Sequence, residues 1–174
     1  MRKFLKKTVI CFFVMLMISA TASSFVEPMQ VEASAKSNKA VREARKYYYA
    51  TQKNLKRYRK INSGSGCMDY YDKGNHLKLT IIRPGKDILS MKNTVCEYYY
   101  NSKQRLVFAF AYTKTKGRLK EYRVYYMGQK CYRYIGPDKK VHTYGKGKSP
   151  YNMSGMPKKL YHNGYMNLHY LGFI

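Results

Sequence analysis

The sequence predicts an α+β domain, an N-terminal amphipathic helix packed on an antiparallel β-meander of about five or six strands. Three observations carry that expectation. Apolar residues between positions 40 and 61 recur at helical spacing, with Lys and Arg on the opposite face. From Met68 onward the residues become β-branched and aromatic, interrupted by clusters of Gly, Pro, Asn, Asp and Ser. Those interruptions are short and evenly spaced, which suits hairpins better than the long crossovers of a parallel sheet.

The chain opens on an export signal. Arg2, Lys3, Lys6 and Lys7 make a positive start, residues 9–18 (VICFFVMLMI) are an unbroken apolar run, and small residues follow. Small-x-small motifs end at Ala22, Ala33 and Ala35. The expected signal peptide covers residues 1–35, with cleavage near Ala33 or Ala35. Cys11 sits early in the apolar run behind Ile10, where a lipoprotein signal would carry a small residue. The last five residues, YLGFI, show no sortase-type motif. Export is therefore expected to leave a secreted domain with no integral membrane segment.

The helix is expected over residues 36–62. Val41, Ala44, Tyr48, Leu55 and Tyr58 form its apolar stripe, Ser37 or Asn38 caps it, and residues 62–66 (NSGSG) serve as a flexible connector. The sheet is expected over residues 63–145, with strands near 78–83, 93–100, 106–113, 120–127 and 130–135 and a weaker one near 141–144. Residues 106–112 (LVFAFAY) are apolar on both faces, so this strand is central and covered twice. Val107, Ala109 and Ala111 leave room for the helix. Leu106, Phe108, Phe110 and Tyr112 then need another cover. The tail, residues 146–174, is expected to pack there through Tyr161, Tyr165, Leu168, Tyr170, Leu171 and Phe173, with regular structure only near 157–161.

Two segments repeat one pattern. Residues 99–108 (YYNSKQRLVF) and 125–135 (YYMGQKCYRYI) each read as aromatic strand, tight polar turn, aromatic strand. In this the chain resembles small exported proteins and lipoproteins of Gram-positive bacteria that carry a Tyr-Tyr-x-Asp-Asn-Gly-Lys-Leu hairpin followed by an Arg-Tyr-Ile strand, and whose role is uncharacterised. A fainter resemblance is to the Tyr-Asp repeats of large surface toxins, with Asn101 in place of the Asp and Gln104 in place of a Gly. Both imply an exported, surface-directed protein, and neither implies a catalytic residue.

Site chemistry is sparse. Asp69 and Asp72 flank Tyr70 and Tyr71 and converge with His76 and Cys67 only if the turn at residues 72–75 brings them together. His162 and His169 are too few for zinc. Residues 145–149 (GKGKS) lack the spacing of a phosphate loop. Cys67, Cys96 and Cys131 are an odd number in an exported domain. A disulfide of Cys67 with Cys96 or with Cys131 stands beside the alternative of three structural thiols. No cofactor, metal or catalytic residue is expected.

What remains is charge. The chain has 34 Lys and Arg against 9 Asp and Glu, a formal +25, and removing residues 1–35 takes away four basic and two acidic residues to leave +23. Such an excess attracts polyanions in a salt-dependent manner. The candidate anion-binding residues are Arg42, Arg45, Lys46, Lys53, Lys56 and Arg57 on the helix, with Lys139, Lys140, Lys146 and Lys148 near the end of the sheet. The sequence thus points to a non-catalytic, exported accessory protein held near the cell surface by anionic cell-wall polymers or lipid headgroups. The alternative is a secreted interaction or inhibitor module presenting a tyrosine-rich sheet face to a protein partner. Nucleic acid is not the expected partner of an exported chain.

Overall fold

A computed structural model describes residues 28–64, 66–85, 91–115 and 118–173. The charged start and apolar run of the expected signal peptide lie outside the described residues. One helix, α1 (Pro28–Asn54), precedes an eight-stranded sheet, and a second, α2 (Gly155–Tyr170), follows it. The strands are β1 (Arg59–Gly64), β2 (Cys67–Tyr71), β3 (Leu77–Ile82), β4 (Thr94–Tyr100), β5 (Leu106–Thr115), β6 (Arg118–Met127), β7 (Lys130–Ile135) and β8 (Val141–Lys148). Each pairs antiparallel with the next, in the order β1 to β8.

This corrects the expected class of one helix on five or six strands. The molecule is mostly sheet, with helices before and after it. Two differences have clear physical causes. α1 ends at Asn54 and passes through a 3-10 turn (Leu55–Arg57), so Arg59, Lys60 and Ile61 belong to a strand and not to the helix. The expected connector is the tip of the β1–β2 hairpin, where Gly64 faces Cys67. A Gly- and Ser-rich segment serves as a turn as readily as a linker, and the strands around it decide which.

The tail is the second difference. Residues 155–170 form a full helix although they contain Gly155, Pro157 and Gly164. Pro157 falls in the first turn, where its missing N–H costs no helical hydrogen bond. Gly164 lies where α2 crosses β4 and β5. A Cβ there would meet Tyr98 Cδ1 at 2.7 Å and Leu106 Cδ2 at 3.0 Å.

Consecutive tyrosines organise the core. The ladders shift register between Tyr70 and Tyr71, between Tyr99 and Tyr100, and between Tyr125 and Tyr126. Each pair sends one ring to either face of the sheet. Tyr70, Tyr99 and Tyr125 pack with Ala40, Val41 and Ala44 of α1, whereas Tyr71, Tyr100 and Tyr126 pack with Leu160, Tyr161 and Leu168 of α2. The two helices thus cover opposite faces. Phe108 joins the α1 side, and Ala109 and Ala111 join the α2 side. The expected assignment is reversed only from Phe108 to Ala111, where Phe108 and Phe110 meet the N-terminal helix and Ala109 and Ala111 meet the tail; ahead of the register shift opposite Tyr99 and Tyr100 it holds, with Val107 on the α1 side and Leu106 on the α2 side. Small side chains let a second helix approach closely, and the bulky face still had room for α1 because α1 presents alanines.

The turns follow local chemistry. Asp72 Oδ1 accepts hydrogen bonds from the backbone of Gly74 and His76, both at 2.9 Å, and Asn75 takes a positive φ. Asn101 Oδ1 does the same for Lys103 and Arg105, at 3.0 Å each, and Gln104 is its positive-φ residue. Residues 70–77 (YYDKGNHL) and 99–106 (YYNSKQRL) are thus one structural repeat. The β6–β7 hairpin differs: Gly128 and Gln129 both have positive φ, the signature of a two-residue type I′ turn.

Candidate functional site

The ten candidate anion-binding residues are all exposed, but the fold does not gather them at one point. Ser37, Ala40, Val41, Ala44 and Thr51 are buried positions along residues 35–54 of α1. Lys39, Arg42, Lys46 and Lys53 therefore recur at three-, four- and seven-residue intervals along its outer side. Lys56 and Arg57 continue into the 3-10 turn. Lys139 and Lys140 occupy the β7–β8 turn, where the Lys140 amide donates to Asp138 Oδ1 at 3.1 Å. Lys146 and Lys148 lie at the far end of β8, roughly 20 Å from that turn at about 3.3 Å per residue.

Two contacts hold α1 so that its basic side faces outward. Arg133 on β7 donates to Ser37 Oγ at 2.9 Å and to Asn38 Oδ1 at 2.8 Å. Gln52 donates to the Tyr99 hydroxyl at 2.9 Å, which in turn donates to Glu97 Oε2 at 2.6 Å. Burial raises the Glu97 carboxyl above its usual value, against the lowering effects of Tyr99 and Arg83.

Lys148 also lines a cleft of about 240 Å³ between β7, β8 and the first turn of α2. Tyr134 and His142 are cross-strand partners whose rings stack at 5.6 Å with a 22° interplanar angle. Lys148 Nζ lies 5.8 Å from the centroid of the Tyr144 ring. Residues 153–157 close the other wall, with Met153 and Pro157 buried at its base. No carboxylate lines the cleft. Of these residues, sequence reasoning selected Lys148 for anion binding, with Tyr144 beside it, and placed Tyr134 on the tyrosine-rich sheet face. The alternating aromatic and basic residues of positions 142–148 were the available signal, but the far wall needs the start of α2, which the Gly and Pro residues obscured. A second cleft, of about 270 Å³, carries both signs of charge in Arg57, Lys73 and Asp72.

Asp69, Asp72, His76 and Cys67 do not converge. Asp72 and His76 stay on the β2–β3 turn. Burial raises the Asp72 carboxyl, but the backbone of His76 and Gly74 and the Lys78 ammonium (Nζ to Oδ2, 3.0 Å) outweigh it and hold it below the usual carboxylate range. Asp69 is fully buried and accepts hydrogen bonds from Ser63 and Thr80, with Asn167 Nδ2 at 3.5 Å. Asn167 also donates to Thr80 Oγ1 at 2.8 Å, so this cluster ties α2 to β2 and β3. Cys67, Cys96 and Cys131 are buried thiols, and neither expected disulfide is formed. Burial pushes the Cys96 and Cys131 thiols up to about 12, which keeps both protonated and unreactive. Among the described residues no group of His, Cys, Asp and Glu is placed to hold a metal ion.

The tyrosine-rich face is divided as well. Tyr98, Tyr100 and Tyr126 are fully buried on the α2 side, while Phe108 and Phe110 belong to the α1 side. Among the described residues no helix is long and apolar enough to cross a membrane.

No family model and no curated protein matches the chain. Two solved structures show a remote likeness. One is the S. aureus TarM G117R mutant in complex with fondaparinux, alpha-GlcNAc-glycerol and UDP, at 12% identity and a TM-score of 0.30, covering 68% of this chain and 29% of that one. The other is TarM, at 13% identity and a TM-score of 0.29, covering 60% of this chain and 24% of that one. The chain spans less than a third of TarM's length, and likeness at this level transfers neither fold nor function.

Proposed function

We propose that this is an exported, non-catalytic accessory protein that stays near the cell surface by binding anionic polymers. The observation that carries the reading is the formal charge of +25, with a basic stripe on the solvent side of α1. A helix whose apolar side is already packed on the sheet offers its charged side to a polyanion, in preference to inserting into lipid.

The reading is tested by co-sedimenting the purified protein with isolated anionic wall polymer while salt is raised. Retention at about 50 mM salt and release by about 500 mM is the expected result, since each cationic contact displaces counterions from the polymer. Replacing Arg42, Arg45, Lys46, Lys53, Lys56 and Arg57 together by Gln should lower both the affinity and its salt dependence. Protein that stays in the supernatant at low salt overturns the reading.

A further inference from the structure

Charge alone does not account for the cleft between β7, β8 and α2. A site that served only long-range attraction needs exposed lysines on a convex surface, as on α1. This cleft instead sets one ammonium, Lys148 Nζ, over the Tyr144 ring, and the rings of Tyr134 and His142 line the same cleft. Tyr134 and His142 are already stacked on each other, so the pair is held as a unit that lines one side of the cleft. The ring wall offers an apolar face with hydroxyl and imidazole groups at its rim, the combination that packs on a sugar ring and hydrogen-bonds its hydroxyls. Met153 and Pro157 give the floor an apolar surface. Lys148 is the charged side chain of the lining, with Asp138 acting on the Tyr134 hydroxyl from outside it, and the complement of Lys148 is an anion.

Size narrows the ligand. A pocket for a drug-sized molecule holds roughly 300–1,000 Å³, and this cleft holds about 240 Å³. That suits one sugar unit with its charged group and leaves the cleft mouth for the continuing chain. We propose that the cleft binds a single anionic sugar unit, so that the protein reads one repeat of a polyanion as well as its charge. The inference deepens the polyanion reading and rests on it for the polymer, though not for the unit. The negative group is a phosphate ester or a uronic carboxylate; both present oxygen acceptors to Lys148.

The test is an NMR titration of the purified full chain at constant ionic strength. The probes are glucose 1-phosphate and glucuronate, with glucose, inorganic phosphate and AMP as comparators. The expected result is saturable binding of glucose 1-phosphate or glucuronate, with shifts centred on His142 and Tyr144, and the tighter of the two identifies the anion. Lys148→Gln, an exposed substitution, should weaken that binding about tenfold, the loss of one charge-assisted hydrogen bond. Equal binding of inorganic phosphate, or shifts spread over the α1 residues, overturns the site. Tighter binding of AMP overturns the sugar assignment in favour of base stacking. Co-sedimentation with the polymer separates the two readings. If the protein binds polymer but not the probes, the cleft site fails and the electrostatic reading stands. If it binds a probe through the cleft but no polymer, the reverse holds.

Discussion

At the scale of single residues, the unusual burden of this core is hydroxyl groups. Tyr98, Tyr99, Tyr100 and Tyr126 are its largest fully buried side chains, and a buried hydroxyl needs a partner. Tyr99 donates to Glu97, Tyr100 to the Gly164 carbonyl at 3.1 Å, and Tyr126 to the Pro157 carbonyl at 3.5 Å, whereas the Tyr98 hydroxyl is buried with no hydrogen-bond partner among the described residues. The tyrosines therefore bind the helices by polar contacts as well as by area. Glu97 has a pH signature. Because burial raises its carboxyl, the folded state holds that proton to higher pH than the unfolded state does. Stability from this group is greatest below the ordinary carboxyl value and falls as pH rises through the raised folded value. Urea midpoints measured from about pH 4 to pH 7 should fall across this window in the wild type, and Glu97→Gln should lessen the fall. An unchanged slope would contradict the assignment. Asp72 has the opposite sign, its contribution being lost as pH drops. The role of Asp72 was legible, because Asp-Lys-Gly-Asn is turn chemistry. The role of Asp69 was not, since its partners Thr80 and Asn167 lie far along the chain.

At the scale of elements, α2 is the part whose packing tolerates least change. Replacing Gly164 by Ala would return about 1 kcal/mol in helix propensity. It would also place a methyl 2.7 Å from Tyr98 Cδ1, and overpacking a filled core costs roughly 1–3 kcal/mol. A net loss of up to about 2 kcal/mol by chemical denaturation is expected. A stabilised variant would mean that α2 rides less closely on β4 than its carbonyl contact with Tyr100 requires. The sequence showed why this element is hard to read: Gly and Pro are strong local breakers, and only the tertiary surface of Tyr98 and Leu106 makes a glycine useful inside this helix. The hairpins were easier where turn residues declared themselves, as at Gly128 and Gln129. The β1–β2 hairpin was missed because β1 carries exposed residues that begin with two basic ones, and β2 is a short, almost wholly buried run with an aspartate in it, so neither shows the alternation that marks a half-buried strand. Arg59 and Lys60 still serve it there, since charge on an edge strand discourages further pairing.

For the whole molecule, charge and fold act against each other. A formal +25 repels itself, and compactness brings the like charges together. Raising salt from about 10 mM to about 150 mM shortens the screening length from roughly 30 Å to 8 Å. The melting temperature should therefore rise over that range, whereas a flat or falling curve would show that ion pairs outweigh the repulsion. The same charge underlies the proposed polymer binding, where salt acts in the opposite direction, so one titration followed by two readouts separates the effects. By itself the sequence determined the charge excess, the antiparallel pairing between neighbouring strands and the turn chemistry, because composition and local period are properties of contiguous residues. Tertiary structure alone decided how many strands join the sheet, which helix covers which face, that the three cysteines stay thiols, and that Lys148 meets Tyr144 and the start of α2 in one cleft. Each of those depends on residues distant in the chain, and a sheet with two apolar faces accepts a helix on either side until the side-chain volumes of both are in place.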